Sequence, residues 1–295
     1  MLKSKILALG LAAVVAAGLL VGCGKSQDTS SNSNNSNNSN NTSSNTTGNT
    51  AKKYQDGIYF AQEDGFSEKS GWKYMVTIEV KDGKIVKADW NGAHKKAGAD
   101  KKTVSKEGKY GMVEKGKAQA EWHDQAKKVE DYLLEKQEPV VQYKDDEGHT
   151  DAISGATIGV KEFFDLAKKA LDKGPVGSGQ YKDGSYHVEG KEFSEKSGWK
   201  ETLDLTVVNG YIVAVDWNGV HKDGGDDKDT VSQKGDYGMV AKGGAKAEWH
   251  EQAQKVEAYL LEKQDPAAPD AISGATISFE GFFGLAKEAL ESAKK

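Results

Sequence analysis

Between Met75 and Val80 the chain alternates: Val76, Ile78 and Val80 fall on one face, Met75, Thr77 and Glu79 on the other. Farther on, Leu203, Leu205 and Val207 alternate with Thr202, Asp204 and Thr206 in the same way. A period of two predicts a half-buried strand at each place. Asp82-Gly83 and Asn209-Gly210 follow, dipeptides that supply the positive φ angles of a tight hairpin, and a return strand ends at Trp90-Asn91-Gly92 and Trp217-Asn218-Gly219. The period then changes. Ala118, Trp122, Ala126, Val129 and Leu133 recur at three- and four-residue spacing, as do Ala245, Trp249, Ala253, Val256 and Leu260, which predicts one amphipathic helix in each set. "VKEFFDLAKKAL" and "FEGFFGLAKEAL" predict a second helix each. The fold class expected is α+β, an antiparallel sheet with helices packed on it.

The pattern occurs twice because the chain is an internal duplication. Equivalent residues stand 127 positions apart from Asp56/Asp183 through Gln137/Gln264, and 119 apart at Asp151/Asp270. The first copy carries eight extra residues within "EPVVQYKDDEGHT". Two tandem homologous domains are expected, 54–172 and 181–295, joined by a linker, 173–180, that contains "KGPVGSG". Its glycines predict a loose relation between them.

The start of the chain reads differently. "MLKSKILALGLAAVVAAGLLVGC" has a lysine-bearing opening, an apolar run and a small-residue approach to Cys23. A spanning helix is the competing reading, but this order is that of a lipoprotein signal, residues 1–22, cleaved before a lipidated cysteine. Residues 23–53 follow, almost all Ser, Asn, Thr, Gly and Lys, a composition that buries too little apolar surface to fold. As a flexible coil this tether spans on the order of 30 Å, which keeps the folded part on the outer face of the cell membrane. Cys23 is the sole cysteine, so no internal disulfide, cysteine-ligated iron–sulfur cluster or CxxCH haem site is available.

Charge narrows the picture further. Lysines and acids are interspersed, with a formal net charge of −5, and this argues against nucleic acid as a partner. No arginine is present, so a bidentate guanidinium clamp on phosphate is excluded, and neither GxGxxG nor a Walker A loop replaces it.

One phrase repeats almost without change, "DAISGATIG" at 151–159 and "DAISGATIS" at 270–278, each ahead of the last helix of its copy. Two readings are open from the residues. Thr157 and Thr276 cap that helix, with glycine making the turn; or the segment forms a phosphate site at the helix N-terminus, with Gly and Ala leaving room beside a threonine hydroxyl.

"D-A-I-S-G-A-T" resembles the flavinylation motif of the FMN-binding domain family. The resemblance implies that a separate FMN transferase, using FAD as donor, joins the phosphate of FMN to Thr157 and Thr276. Asp151, Ser154, Gly155 and Ala156, and Asp270, Ser273, Gly274 and Ala275, would form the recognition segments. The family often has Thr or Ser where this chain has Ile158 and Ile277, and the copies then differ at Gly159 and Ser278. That difference implies the first copy as the poorer acceptor. A lipobox, a polar tether and two such domains are also similar to PplA-type lipoproteins of Gram-positive bacteria. By that likeness the chain would hold two covalent FMN groups and act as a carrier rather than a classical enzyme. Electrons would come from a membrane quinol-linked donor and leave to extracellular acceptors such as ferric iron.

Candidate flavin contacts are Tyr110, Gly111 and Met112 with Tyr237, Gly238 and Met239, where glycine permits close approach and Tyr and Met offer an aromatic face and a polarizable sulfur. A plain turn accounts for these stretches equally well. Trp122 and Trp249 fit either a core position or a stack on the flavin ring. His123 and His250 are candidates for its polar edge. A zinc site at the paired histidines lacks an HExxH or cysteine set. The rival reading from another class is a non-redox solute-binding or adhesion lipoprotein whose SGAT segments are only helix caps.

Overall fold

Strand β1 (Gly57–Gln62) pairs antiparallel with β2 (Trp72–Lys81), and β2 with β3 (Lys84–His94). The hairpin turn is Asp82-Gly83, with φ of 54° and 76°. Helices α1 (Lys101–Lys106), α2 (Trp122–Lys136) and α3 (Lys161–Lys173) follow. The second repeat restates this order as β4 (Gly184–Glu189), β5 (Trp199–Val208), β6 (Tyr211–His221), α4 (Lys228–Gln233), α5 (Trp249–Lys263) and α6 (Glu280–Ser292). These relations come from a computed structural model, which describes residues 53–295. The signal segment, Cys23 and the tether up to residue 52 lie outside the described residues. Among the described residues no helix is long and apolar enough to cross a membrane.

In each repeat α2 or α5 and α3 or α6 cover one face of the sheet. Val76, Ile78, Trp90, Trp122, Val129, Leu133, Phe163 and Phe164 form the first core, and Leu203, Leu205, Trp217, Trp249, Val256, Leu260, Phe282 and Phe283 the second. The α+β expectation holds. One helix boundary does not: Ala118 and Ala245 fit the helical spacing but precede α2 and α5. Lys117 has a φ of 55°, the Ala118 N–H bonds the Met112 carbonyl, and the helix starts only after Glu121. Helices α1 and α4, six residues each, were too short to show a period.

The open edge of β3 is closed by side chains of α2. Glu130 Oε1 accepts the Trp90 N–H at 2.7 Å; Gln137 accepts from the Ile85 N–H at 2.8 Å and donates to its carbonyl at 2.9 Å. Gln264 and Glu257 treat Ile212 and Trp217 alike. An edge strand satisfied this way is not a template for another chain, and the bonds also fix α2 along the sheet.

The strands are half-buried only in part: Glu79 and Lys81 are exposed, as the alternation predicts, but much of that face is covered. Their second face meets the other repeat: Phe60, Met75, Ala93 and Ala97 pack with Val208, Val213 and Ala214, and Phe60 stacks on Tyr211 with ring centroids 5.3 Å apart. Thr206 Oγ1 donates to the Gly98 carbonyl at 2.8 Å across this contact. Thr202 and Thr206, polar residues on this face, are therefore buried. The stretch read as a loose linker is also held. Val176 and Gly177 donate to the Ile58 carbonyl, Gly179 to that of Asn209, and Tyr181 bridges Lys294. The two repeats share a core rather than hang on a hinge.

Candidate functional site

The SGAT segments do not cap helices. Helix α3 begins at Lys161 with Val160 as N-cap, and α6 begins at Glu280 with Phe279 in that place, and no side-chain cap bond is made at either. Thr157 and Thr276 stand earlier, in an exposed loop. Their hydroxyls turn instead toward the neighbouring helix. Gln125 Oε1 accepts the Thr157 N–H at 2.7 Å and its hydroxyl at 3.1 Å; Gln252 Oε1 does the same for Thr276 at 2.7 and 3.0 Å. Both glutamines are buried, and their amide N–H groups donate to Ala120 and Ala247 carbonyls, which fixes which end of the amide faces the threonine. An exposed hydroxyl is thus held in one orientation by a buried acceptor.

The loop reaches this position through glycine. Gly155 and Gly274 both have a φ of 76°, a backbone conformation that costs other residues strain. Lys128 Nζ donates to the Gly155 carbonyl at 3.2 Å and Lys255 Nζ to that of Gly274 at 3.0 Å. In a chain without arginine, a lysine therefore brings positive charge to each segment.

In the first repeat two cavities flank the segment. One, of about 260 Å³, is lined by Asp151, Ser154, Gly155, Ala156 and Thr157 with Lys144 and His149. The other, of about 370 Å³, is lined by Tyr74, Tyr110, Met112, Trp122, Ile158, Gly159 and Glu162, with Glu147 and His149 of the insertion. His149 is common to both, so the hydroxyl and the aromatic slot adjoin. Flat rings, a thioether and an aliphatic side chain in this lining suit a planar aromatic ligand, with a charged group at the threonine end.

Tyr110, Met112 and Trp122, three of the candidate contacts, line this slot. Trp122 is also core, 2 % exposed and stacked on Tyr74. Gly111 instead makes a turn with φ of 75°, and His123 points away: its Nδ1 lies 2.9 Å from Ser105 Oγ on α1. In the second repeat Tyr237, Met239 and Trp249 pack as their equivalents do, Gly238 turns likewise, and His250 bonds Ser232. The GMV stretches are tied to the following helices, since Glu121 accepts the N–H groups of Met112 and Val113, and Glu248 those of Met239 and Val240. Among the described residues no group of three His, Cys, Asp or Glu is placed to hold a metal ion.

Several site residues escaped sequence reasoning. Gln125 and Gln252 had one available signal, their place in the repeated "EWHDQA" and "EWHEQA". Tyr74, Glu162 and the insertion residues carry none. The insertion also explains Gly159, where a Cβ would lie 2.5 Å from the Glu147 carbonyl oxygen. Ser278 has no insertion to accommodate.

Residues 69–172 match the sequence model of the family described as the FMN-binding domain. Over 113 residues the chain is 31% identical to the 15 kDa lipoprotein of Treponema pallidum (strain Nichols), covering 38% of this chain and 77% of that one. It is 64% identical to a protein from Clostridium thermocellum solved by solution NMR, covering 40% of this chain and 91% of that chain with a TM-score of 0.33. It is 30% identical to the CPE2226 protein of Clostridium perfringens in its crystal structure, covering 38% and 88% with a TM-score of 0.34.

Proposed function

This chain belongs to the FMN-binding domain family, and we propose that it is a membrane-anchored flavoprotein carrying FMN esterified to Thr157 and Thr276. The observation that carries the reading is the paired hydrogen bonding of each threonine to a buried glutamine, repeated in both halves and, in the first, set beside an aromatic slot. In the transfer the threonine oxygen bonds phosphorus, the pyrophosphate bond of FAD breaks, and AMP leaves; no electrons change hands. The chain's own part is to hold the hydroxyl. Gln125 and Gln252 orient it, and their bond to the threonine N–H persists after the hydroxyl proton is lost. Lys128 and Lys255 stand near enough to their segments to offset phosphate charge. In the first repeat Tyr74, Tyr110 and Trp122 would hold the ring system, which supplies one- and two-electron chemistry when bound.

A covalent tie suits a cofactor displayed outside the cell, where a dissociated one is lost by diffusion. With Cys23 lipidated, the carrier takes electrons from a membrane quinol-linked donor and passes them to extracellular acceptors such as ferric iron, as the PplA-type lipoproteins would. Because the repeats share a core, two flavins on them would keep a fixed relation to each other. The test is the intact mass and colour of the chain co-expressed with an FMN transferase. Two FMN-sized increments, one lost in Thr157→Ala and one in Thr276→Ala, are expected. A colourless, unmodified chain, with the transferase verified on a known substrate, would return the solute-binding reading.

A further inference from the structure

Behind the aromatic wall of the first cavity lies a lysine that the reading above leaves without a role. Lys101 opens α1 and is 1% exposed. Its Nζ donates to the hydroxyls of Tyr74 at 3.0 Å and Tyr110 at 2.8 Å. The same ammonium stands 4.3 Å from the ring centroid of Tyr110, 4.7 Å from Tyr74, 4.8 Å from Trp72 and 5.1 Å from Trp122. Four aromatic faces and two hydroxyls surround one buried amine, and three of those residues line the cavity. Burying an amine this deeply is unfavourable, and a methionine would fill the space without that cost.

The second repeat keeps the amine and rearranges its surroundings. Lys228 is 7% exposed, 4.3 Å from the Trp249 ring and 5.5 Å from that of Tyr237. Tyr74 is replaced by Glu201, and Glu162 of α3 by Gly281 of α6, where a Cβ would lie 2.3 Å from Glu201 Oε2. The acids are therefore placed differently, at Glu63 after β1 and Glu162 on α3 in the first repeat and at Glu201 on β5 in the second. Each buried lysine keeps a carboxylate that acts on it, Glu63 for Lys101 and Glu201 for Lys228, an arrangement that packing alone does not call for.

We propose that Lys101 and Lys228 are positioning residues that offset the charge of reduction, each binding a proton behind the aromatic wall when an electron reaches the flavin of its repeat. The inference rests on the reading in the preceding subsection. An electron from a quinol adds one negative charge, and one solvent proton converts the lysine amine to ammonium, so charge at the site is unchanged. Burial pushes Lys101 down to about 7, with Glu63 opposing, and Lys228 down to about 8, with Glu201 opposing. Both amines therefore exchange protons near neutral pH. The groups that face Lys101 are Glu63 after β1, Trp72 and Tyr74 on β2, His94 ending β3, Tyr110 before α2 and Trp122 on it, with Glu162 of α3 acting on Tyr74.

The test is a redox titration against pH of the full chain in the Thr276→Ala background, loaded by an FMN transferase and checked by intact mass. The parent is expected to show a change of slope in its midpoint potential near pH 7. Lys101→Met should abolish that change and lower the potential at pH 6; Tyr110→Phe, which takes one acceptor from Nζ without adding volume, should displace it, and carries the test if Lys101→Met does not fold. In the unloaded chain labelled with ¹⁵N-lysine, the Lys101 Nζ resonance should titrate near pH 7. A loaded Lys101→Met or Tyr110→Phe protein with unaltered potential and slope overturns the inference alone. Absence of the mass increment in the parent overturns both the inference and the reading it rests on.

Discussion

Gln125 Oε1 lies 2.7 Å from the backbone nitrogen of Thr157 and 3.1 Å from its hydroxyl oxygen, so one buried amide holds both the loop and its exposed hydroxyl. The amide belongs to α2, whose bonds to β3 fix it on the sheet. Gln125→Ala removes both bonds. A hydrogen bond contributes about 1 kcal/mol, so stability should fall by about 1–2 kcal/mol and the rate of FMN attachment at Thr157 by roughly tenfold. Attachment at Thr276 should not change. A time course of intact mass, followed by peptide mapping, separates the two sites, and Gln252→Ala should give the converse.

The second repeat should lose stability as pH rises. In the first, Lys102 Nζ lies 2.5 Å from Asp89 and 2.6 Å from Glu130. The equivalent of that lysine is Asp229, which leaves Asp216 and Glu257 beside a third carboxylate. Burial pushes Asp216 up to about 6, opposed by Lys96 of the first repeat, and Glu257 up to about 8, opposed by the Trp217 N–H. Both acids are protonated more readily in the fold than in the unfolded chain. Their contribution is full below about pH 4 and is lost as pH rises through 6 and then 8. Asp229→Lys should restore the ion pair and stabilise the protein on the order of 2 kcal/mol at pH 8, with a smaller effect at pH 5. Urea unfolding at the two pH values checks the difference.

Gly159→Ser should disturb the first site alone. The new Cβ would meet the Glu147 carbonyl oxygen at 2.5 Å, and that loop also bonds α3 through the Val160 N–H and Gly148 carbonyl. Forcing the insertion outward should cost about 1–3 kcal/mol. Loading of Thr157 should change while that of Thr276 does not, as read by mass.

Phe60→Ala tests the shared core. Phe60 is 9% exposed and stacks on Tyr211 across the contact. Its truncation should cost about 3 kcal/mol and split one cooperative unfolding transition into two. A single transition of unaltered midpoint by urea titration would show that the sheets do not support each other.

The local order was written in the sequence. A period of two gave β2 and β5, Asp82-Gly83 and Asn209-Gly210 gave the turns, and the helical stripes gave α2, α3, α5 and α6, because each depends on neighbours a few residues away. The repeated SGAT phrase singled out one loop in each repeat, and the resemblance it carries named the family whose sequence model residues 69–172 match. Tertiary structure decided the rest. Gln125 meets Thr157 across 32 positions of chain, and Lys101 meets Tyr74 across 27, separations that no periodic pattern encodes. The second sheet face is buried although it carries Thr202 and Thr206, because a face predicted as solvent-facing finds another sheet instead. The polarity of a residue limits its surroundings, but only the packed chain decides whether water, a glutamine or the other repeat satisfies it.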